Sequence, residues 1–148
     1  SIVHNNLYQD EPTFTQHMKT DIQHSDDIKL LLDTFYQKVL HDERIGYIFT
    51  HVAKIDLQTH MPVLYSFWES VLFGVASYKG NAILKHIELD RKEKLTDAHF
   101  DRWMQLFTET IDTLFEGKTA ELAKEKATAM RLLMQYKIAQ SEQPGFIQ

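Results

Sequence analysis

Eight histidines and no cysteine define the metal-binding and nucleophilic repertoire of this 148-residue chain. Without thiols there is no disulfide framework, no thiolate metal site and no thiol nucleophile. Most of the histidines are scattered. His17 and His24 stand seven apart, about two helical turns or ~10 Å, too far for one small ion without other ligands. His4, His41, His51 and His99 read as exposed or capping residues. His60 and His86 differ, because each interrupts an apolar stripe where the pattern asks for a hydrocarbon side chain. The bland reading of either alone is a core imidazole satisfied by one hydrogen bond. Two of them, on helices that can face one another, offer a nitrogen ligand and a second imidazole opposite it.

Two further polar-tipped side chains share those faces. Tyr36 falls on the apolar side of the first helix and Trp103 on that of the fourth. For each, ordinary core packing is the competing explanation. Taken together, an imidazole facing an apolar slot with a phenol, a second imidazole and an indole beyond it suits a flat macrocycle with iron at its centre. Iron takes one firm nitrogen ligand and leaves its sixth position open to a small gas. O–H and N–H donors aimed at that position slow the escape of O2, since a hydrogen bond to a charged group contributes about 1.5–3 kcal/mol. Other familiar chemistries are missing: the chain has no Gly-rich phosphate loop, no HExxH, no CxxC and no GxSxG.

The elements that must position these residues are helices. From Ser25, a natural N-cap followed by Asp26 and Asp27, apolar side chains recur at Ile28, Leu31, Leu32, Phe35, Val39 and Leu40, with Tyr36 among them. RIGYIF follows, where Gly46 ends or bends the chain and leaves Phe49 at a corner. A second helix covers roughly 57 to 74, with Val63, Leu64, Phe67, Trp68, Val71 and Leu72 on one face and His60 one turn earlier. Pro62 is harmless there if Thr59 caps the helix, but bends a helix begun at Asp56. Gly74 to Gly80 reads as a loop, and 81 to 89 as a short helix with Ile83, His86 and Ile87 inward. Thr96 caps the next helix, with Leu95 stapling onto Phe100, and Phe100, Trp103, Phe107, Ile111 and Leu114 line its inner face until Gly117 stops it. Lys118 to Gln140 forms the last helix through Leu122, Ala127, Met130, Leu133, Met134 and Ile138. Ahead of all this, Phe14, Met18 and Ile22 are spaced for two helical turns. No strand pair or internal repeat appears, so the expected architecture is one all-α domain over 25–140, with an N-terminal extension, 1–24, and a tail, 141–148.

Composition agrees with a packed globular chain. Hydrophobic residues make up 43% and charged residues 25%, and a chain of this length buries roughly two-thirds of its unfolded surface. The net charge of −5, with no basic stripe, excludes a nucleic-acid partner. The longest apolar stretch, VLYSFWESVLFGVA, is broken by Glu69 and too short to span a bilayer, and no signal peptide is visible. A cytoplasmic protein without membrane insertion is the expectation.

In FYQKV at 35–39, IGYIF at 45–49, HMPVLYSFW at 60–68, YKGNAILKHIEL at 78–89 and FDRWMQLF at 100–107, the sequence resembles the truncated haemoglobins. Order and spacing carry the resemblance, and the lack of the paired glycines of other branches points to group III. The resemblance implies an all-α, shortened globin-like fold around haem b (iron protoporphyrin IX). His86 becomes the proximal iron ligand, Tyr36, His60 and Trp103 the distal polar set, and Phe49 the corner aromatic packed on the haem. Leu64 and Phe67, one and two turns beyond His60, become apolar walls by helical phase, and Lys85 comes within reach of a propionate. The expected function is reversible binding of O2, CO or NO.

Two alternatives stay open at this point. One is a haem oxidoreductase, an NO dioxygenase with a reductase partner or a weak peroxidase; no arginine stands at the inward distal positions to assist O–O cleavage. The other is a haem-free helical sensor or interaction domain in which His60 and His86 are core residues.

Overall fold

The computed structural model describes residues 18–75, 78, 80 and 82–143. Within them the chain forms α1 (Ser25–Leu40), a π-helical turn (Ile48–Val52), α2 (Leu57–Phe73), α3 (Ala82–Lys92), α4 (Asp97–Leu114) and α5 (Lys118–Ser141), with no strand among the described residues. The all-helical expectation therefore holds. Helix α1 packs against α2 and α4, while α5 lies across α3, α4 and α2.

Local sequence explains most of the boundaries. Helix α1 starts one residue earlier than its serine advertises: His24 is the N-cap and Ser25 the first helical residue. Asp27 drives this, since its carboxylate accepts the amides of Gln23 at 2.8 Å and His24 at 2.9 Å. Helix α2 is capped by Asp56, whose side chain accepts the Gln58 amide at 3.1 Å, so the helix begins ahead of Thr59 and takes Pro62 into its interior. The proline removes the amide that would have bonded the Gln58 carbonyl. Thr96 caps α4 as expected: its hydroxyl accepts from the His99 amide at 3.3 Å while the Thr96 amide donates to His99 Nδ1 at 3.1 Å. His99 thus plays the part that glutamate takes in the usual capping box.

The corner after α1 is tighter than a loop. Asp42 Oδ2 accepts the amides of Arg44 and Ile45, each at 3.1 Å. Gly46 is required by close approach, because a Cβ there would stand 2.8 Å from the Leu40 carbonyl oxygen. The following π-turn ends on the bond from Ala53 N–H to Ile48 O at 2.8 Å.

The core is aliphatic at one end and aromatic at the other. Ile22, Ile28, Leu31, Leu32, Phe35, Val39, Ile111, Ala123 and Ala127 belong to one buried cluster. Phe35 meets Trp103 and Phe107 edge to face at 5.2 and 5.1 Å, and Trp68 stacks on Phe107 at 5.1 Å. Such pairs contribute about 0.5–1.5 kcal/mol each beyond area burial.

Three placements differ from the helical periodicity. Met18 is 72% exposed and residues 18–23 are not helical, although Ile22 is buried; Phe14, His4 and His17 lie outside the described residues. Val63, assigned to the inner face of its helix, is 42% exposed, because α2 turns Leu64, Phe67 and Trp68 inward instead. Leu133 is 45% exposed, since α5 buries Ala120, Ala123, Ala127 and Ile138 against its neighbours instead. Of the stripe assigned to α3, Ile87 is buried and His86 partly so, and the Ile83 side chain lies outside the described residues. No helix among the described residues is long and apolar enough to cross a membrane.

Candidate functional site

Helices α1 to α5 and the π-turn enclose a cavity of about 630 Å³. All seven residues singled out in the sequence line it: Tyr36 from α1, Phe49 from the π-turn, His60, Leu64 and Phe67 from α2, His86 from α3 and Trp103 from α4. The structure brings them together because α1 and α4 converge on the Phe35–Phe107 contact, which turns Tyr36 and Trp103 to the same side.

Tyr36 is the pivot of one wall. Its ring meets Phe49 edge to face at 5.9 Å and His60 at 5.8 Å. Trp103 lies flat on Phe107, with centroids 5.1 Å apart and planes inclined by 14°, leaving its indole edge to the cavity. Across the space, Phe67 packs on Tyr78 at 5.0 Å. Among the described residues, none hydrogen-bonds the Tyr36 hydroxyl, a ring nitrogen of His60 or Trp103 Nε1. Three polar tips therefore line one cavity without an acceptor among the described residues, and none of them is sealed off from that space.

Electrostatics fix their protonation. Burial pushes the Tyr36 phenol well above its ordinary value, so it stays an O–H donor at any physiological pH. His60 is pushed below the usual histidine value, first by burial and then by the charges of Lys85 and His86. It is therefore the neutral imidazole, with one nitrogen donating and the other accepting. The same influence shows that His86 and Lys85 act electrostatically on His60 from α3.

Sequence reasoning missed several lining residues. Tyr78 sits in the connection before α3, where no periodic pattern operates. Met130 and Met134 were read as core but border the cavity, and His99 lines it besides capping α4. Arg131 also borders the cavity from α5, with its guanidinium paired to Asp101 at 2.5 Å.

The donor set fits the haem that the resemblance implies. An apolar lining with many aromatic rings suits the faces of the macrocycle, His86 would be the nitrogen ligand to its iron, and Lys85, Lys92 and Arg131 border the cavity with cations suited to its carboxylate substituents. Among the described residues no cluster of three or more His, Asp or Glu side chains could hold a bare metal ion.

The model of the bacterial-like globins matches residues 20–136. The group 3 truncated hemoglobin ctb of Campylobacter jejuni is 25% identical over 113 residues, covering 74% of this chain and 87% of that protein. The crystal structure of a group III truncated hemoglobin from Campylobacter jejuni superposes with a TM-score of 0.71 at 23% identity, covering 82% of this chain and 95% of the other, a likeness of fold.

Proposed function

The chain belongs to the bacterial-like globin family, a haem-binding, gas-binding family, and on that premise we propose that it is a group III truncated haemoglobin holding haem b through His86 and retaining O2, CO or NO by hydrogen bonds from Tyr36, His60 and Trp103. The observation that carries this reading is the set of three cavity-facing donors without a protein acceptor. A core that only needed apolar packing gains nothing from three polar tips gathered on one cavity.

Haem, when bound, would supply iron that takes a small gas as ligand, and a one-electron reductase would be the partner that keeps it ferrous. The chain does the rest. His86 supplies the nitrogen ligand from α3. Tyr36 donates from a buried hydroxyl that cannot ionise near neutrality, and the neutral His60 and the Trp103 indole add N–H groups on the same side. Phe49, Leu64 and Phe67 exclude water, which raises the strength of each hydrogen bond.

The test is the ultraviolet-visible spectrum of the purified protein, before and after adding hemin, then reduced and exposed to CO. A Soret band that shifts with CO and is lost in His86→Ala supports the reading. A flat spectrum after hemin, or a native spectrum retained by His86→Ala, would refute it.

A further inference from the structure

We propose that Arg102 and Asp42 form a positioning pair that holds Trp103 in register with the corner carrying Phe49, and so sets how well the indole meets a bound gas; this rests on the reading of Trp103 given above. Both residues stand outside the cavity lining. Asp42 is the organiser of the corner. Its Oδ2 accepts the Arg44 and Ile45 amides, its own carbonyl accepts the Gly46 amide at 2.9 Å, and its side chain is only 5% exposed. Its second oxygen, Oδ1, accepts from Arg102, from Nε at 2.9 Å and from Nη2 at 2.6 Å. The remaining terminal nitrogen donates to Gln105 Oε1 at 3.0 Å, one turn along α4, which fixes the guanidinium on its own helix.

The consequence is geometric. Arg102 immediately precedes Trp103, so a clamp on the arginine side chain limits both rotation and sliding of α4 at that residue. The other jaw of the clamp is the segment that runs without interruption through Ile45 and Gly46 into the π-turn, where Phe49 contacts Tyr36 at 5.9 Å. One planar, charge-assisted fork thereby ties together the two chain segments that carry Trp103 and the packing partner of Tyr36. On the inner side Trp103 meets Phe35 edge to face and stacks on Phe107. Those contacts hold the ring, while the arginine holds the stretch of α4 that carries it, so a shift of α4 at that point would move the indole N–H.

A double-mutant cycle on the haem-loaded full chain tests this, with Arg102→Gln, Trp103→Phe and the two combined. Two quantities are read: the O2 dissociation rate and the C–O stretching frequency of the CO complex. Arg102→Gln is expected to shift the stretch and to speed O2 release by roughly two- to tenfold, the size of one weakened hydrogen bond. In the Trp103→Phe background the same substitution is expected to change neither. Asp42→Asn should reproduce the single-mutant effect. An unchanged rate and stretch in a folded, haem-loaded Arg102→Gln would overturn the proposal, as would an equal change in both backgrounds. Should Arg102→Gln fail to take up haem, Arg102→Lys, which keeps the charge and loses the fork, carries the same cycle with the same outcomes. If Trp103→Phe by itself alters neither quantity, the donor role of Trp103 falls and this proposal with it, whereas haem uptake through His86 is left standing.

Discussion

The rings of Tyr36 and His60 meet edge to face across the α1–α2 contact, with centroids 5.8 Å apart and planes inclined by 74°. One is a buried phenol whose proton is held by desolvation, the other an imidazole kept neutral by burial and neighbouring charge. Neither ring saturates the other's hydrogen-bonding capacity in this orientation, and both present donors to the same cavity. Removing the hydroxyl alone in Tyr36→Phe leaves the ring contacts with Phe35, Phe49 and His60 in place. The O2 dissociation rate is therefore expected to rise by about ten- to a hundredfold, the range for a hydrogen bond to a charge-bearing ligand. Flash photolysis or stopped-flow displacement by CO measures it, and an unchanged rate would remove Tyr36 from the ligand's surroundings.

The His60 titration gives a prediction with a sign. Its folded value lies below the ordinary one because burial, then Lys85 and His86, oppose the imidazolium. The unfolded chain thus takes up the proton first as pH falls, so this residue's contribution to stability is complete above about pH 6.5 and is lost as pH drops towards the folded value. His60→Gln should flatten the acid side of a melting-temperature profile below that pH. Lys85→Met removes one of the opposing charges and should move the acid transition of the C–O stretch to higher pH. A transition that stays in place after Lys85→Met would show that the lysine charge is screened from the imidazole.

Much of this site was legible in the sequence because it is written at helical spacing. Tyr36 with Leu32 and Val39, His60 with Leu64 and Phe67, and Trp103 with Phe107 each repeat at three or four residues, and that period alone turns them to one side. What escaped lay where the period stops or where two elements compete. The π-turn at Ile48–Val52 depends on Asp42, Gly46 and the Leu40 carbonyl meeting in space, which no local pattern records. Asp56 displaced Thr59 as cap because either residue type can do the task, and only the packing of α2 decides between them. Val63 and Leu133 match the period yet face outward, since a stripe of six apolar residues is wider than the groove it fills.

Phe35 is the keystone of the aromatic end, fully buried and in edge contact with Tyr36, Trp103 and Phe107 at 5.1 to 5.2 Å. Replacing it by alanine removes a ring on which the two donor-bearing helices converge. Phe35→Ala should cost about 3–5 kcal/mol of unfolding free energy, as large-to-small core substitutions of phenylalanine do. Urea denaturation of the haem-loaded protein reads the loss; a cost under about 1 kcal/mol would mean that the neighbouring rings close the gap.

Asp21 closes the other end of the molecule. Its Oδ1 accepts the Ala120 amide at 2.8 Å and its Oδ2 the Thr119 amide at 2.9 Å, so a residue almost one hundred positions away caps the start of α5. Gly117 permits the approach: with φ of 148° it adopts backbone that other residues avoid, and a Cβ there would overlap the Asp21 carboxyl group. Partial burial works against the ionised form, but the amides of Thr119, Ala120 and Ile22 outweigh it and hold the carboxyl below its usual value. The stabilisation is complete above the usual carboxylate range and disappears as pH falls through the lowered folded value. Asp21→Asn, which keeps the shape and removes the charge facing the helix dipole, should cost about 0.5–2 kcal/mol at neutral pH. The difference from the parent protein should vanish in strong acid, where both carry a neutral side chain. Melting temperatures of the two proteins as a function of pH decide this. Parallel curves down to the acid limit would show that the cap acts through hydrogen bonds alone, with no share for the charge.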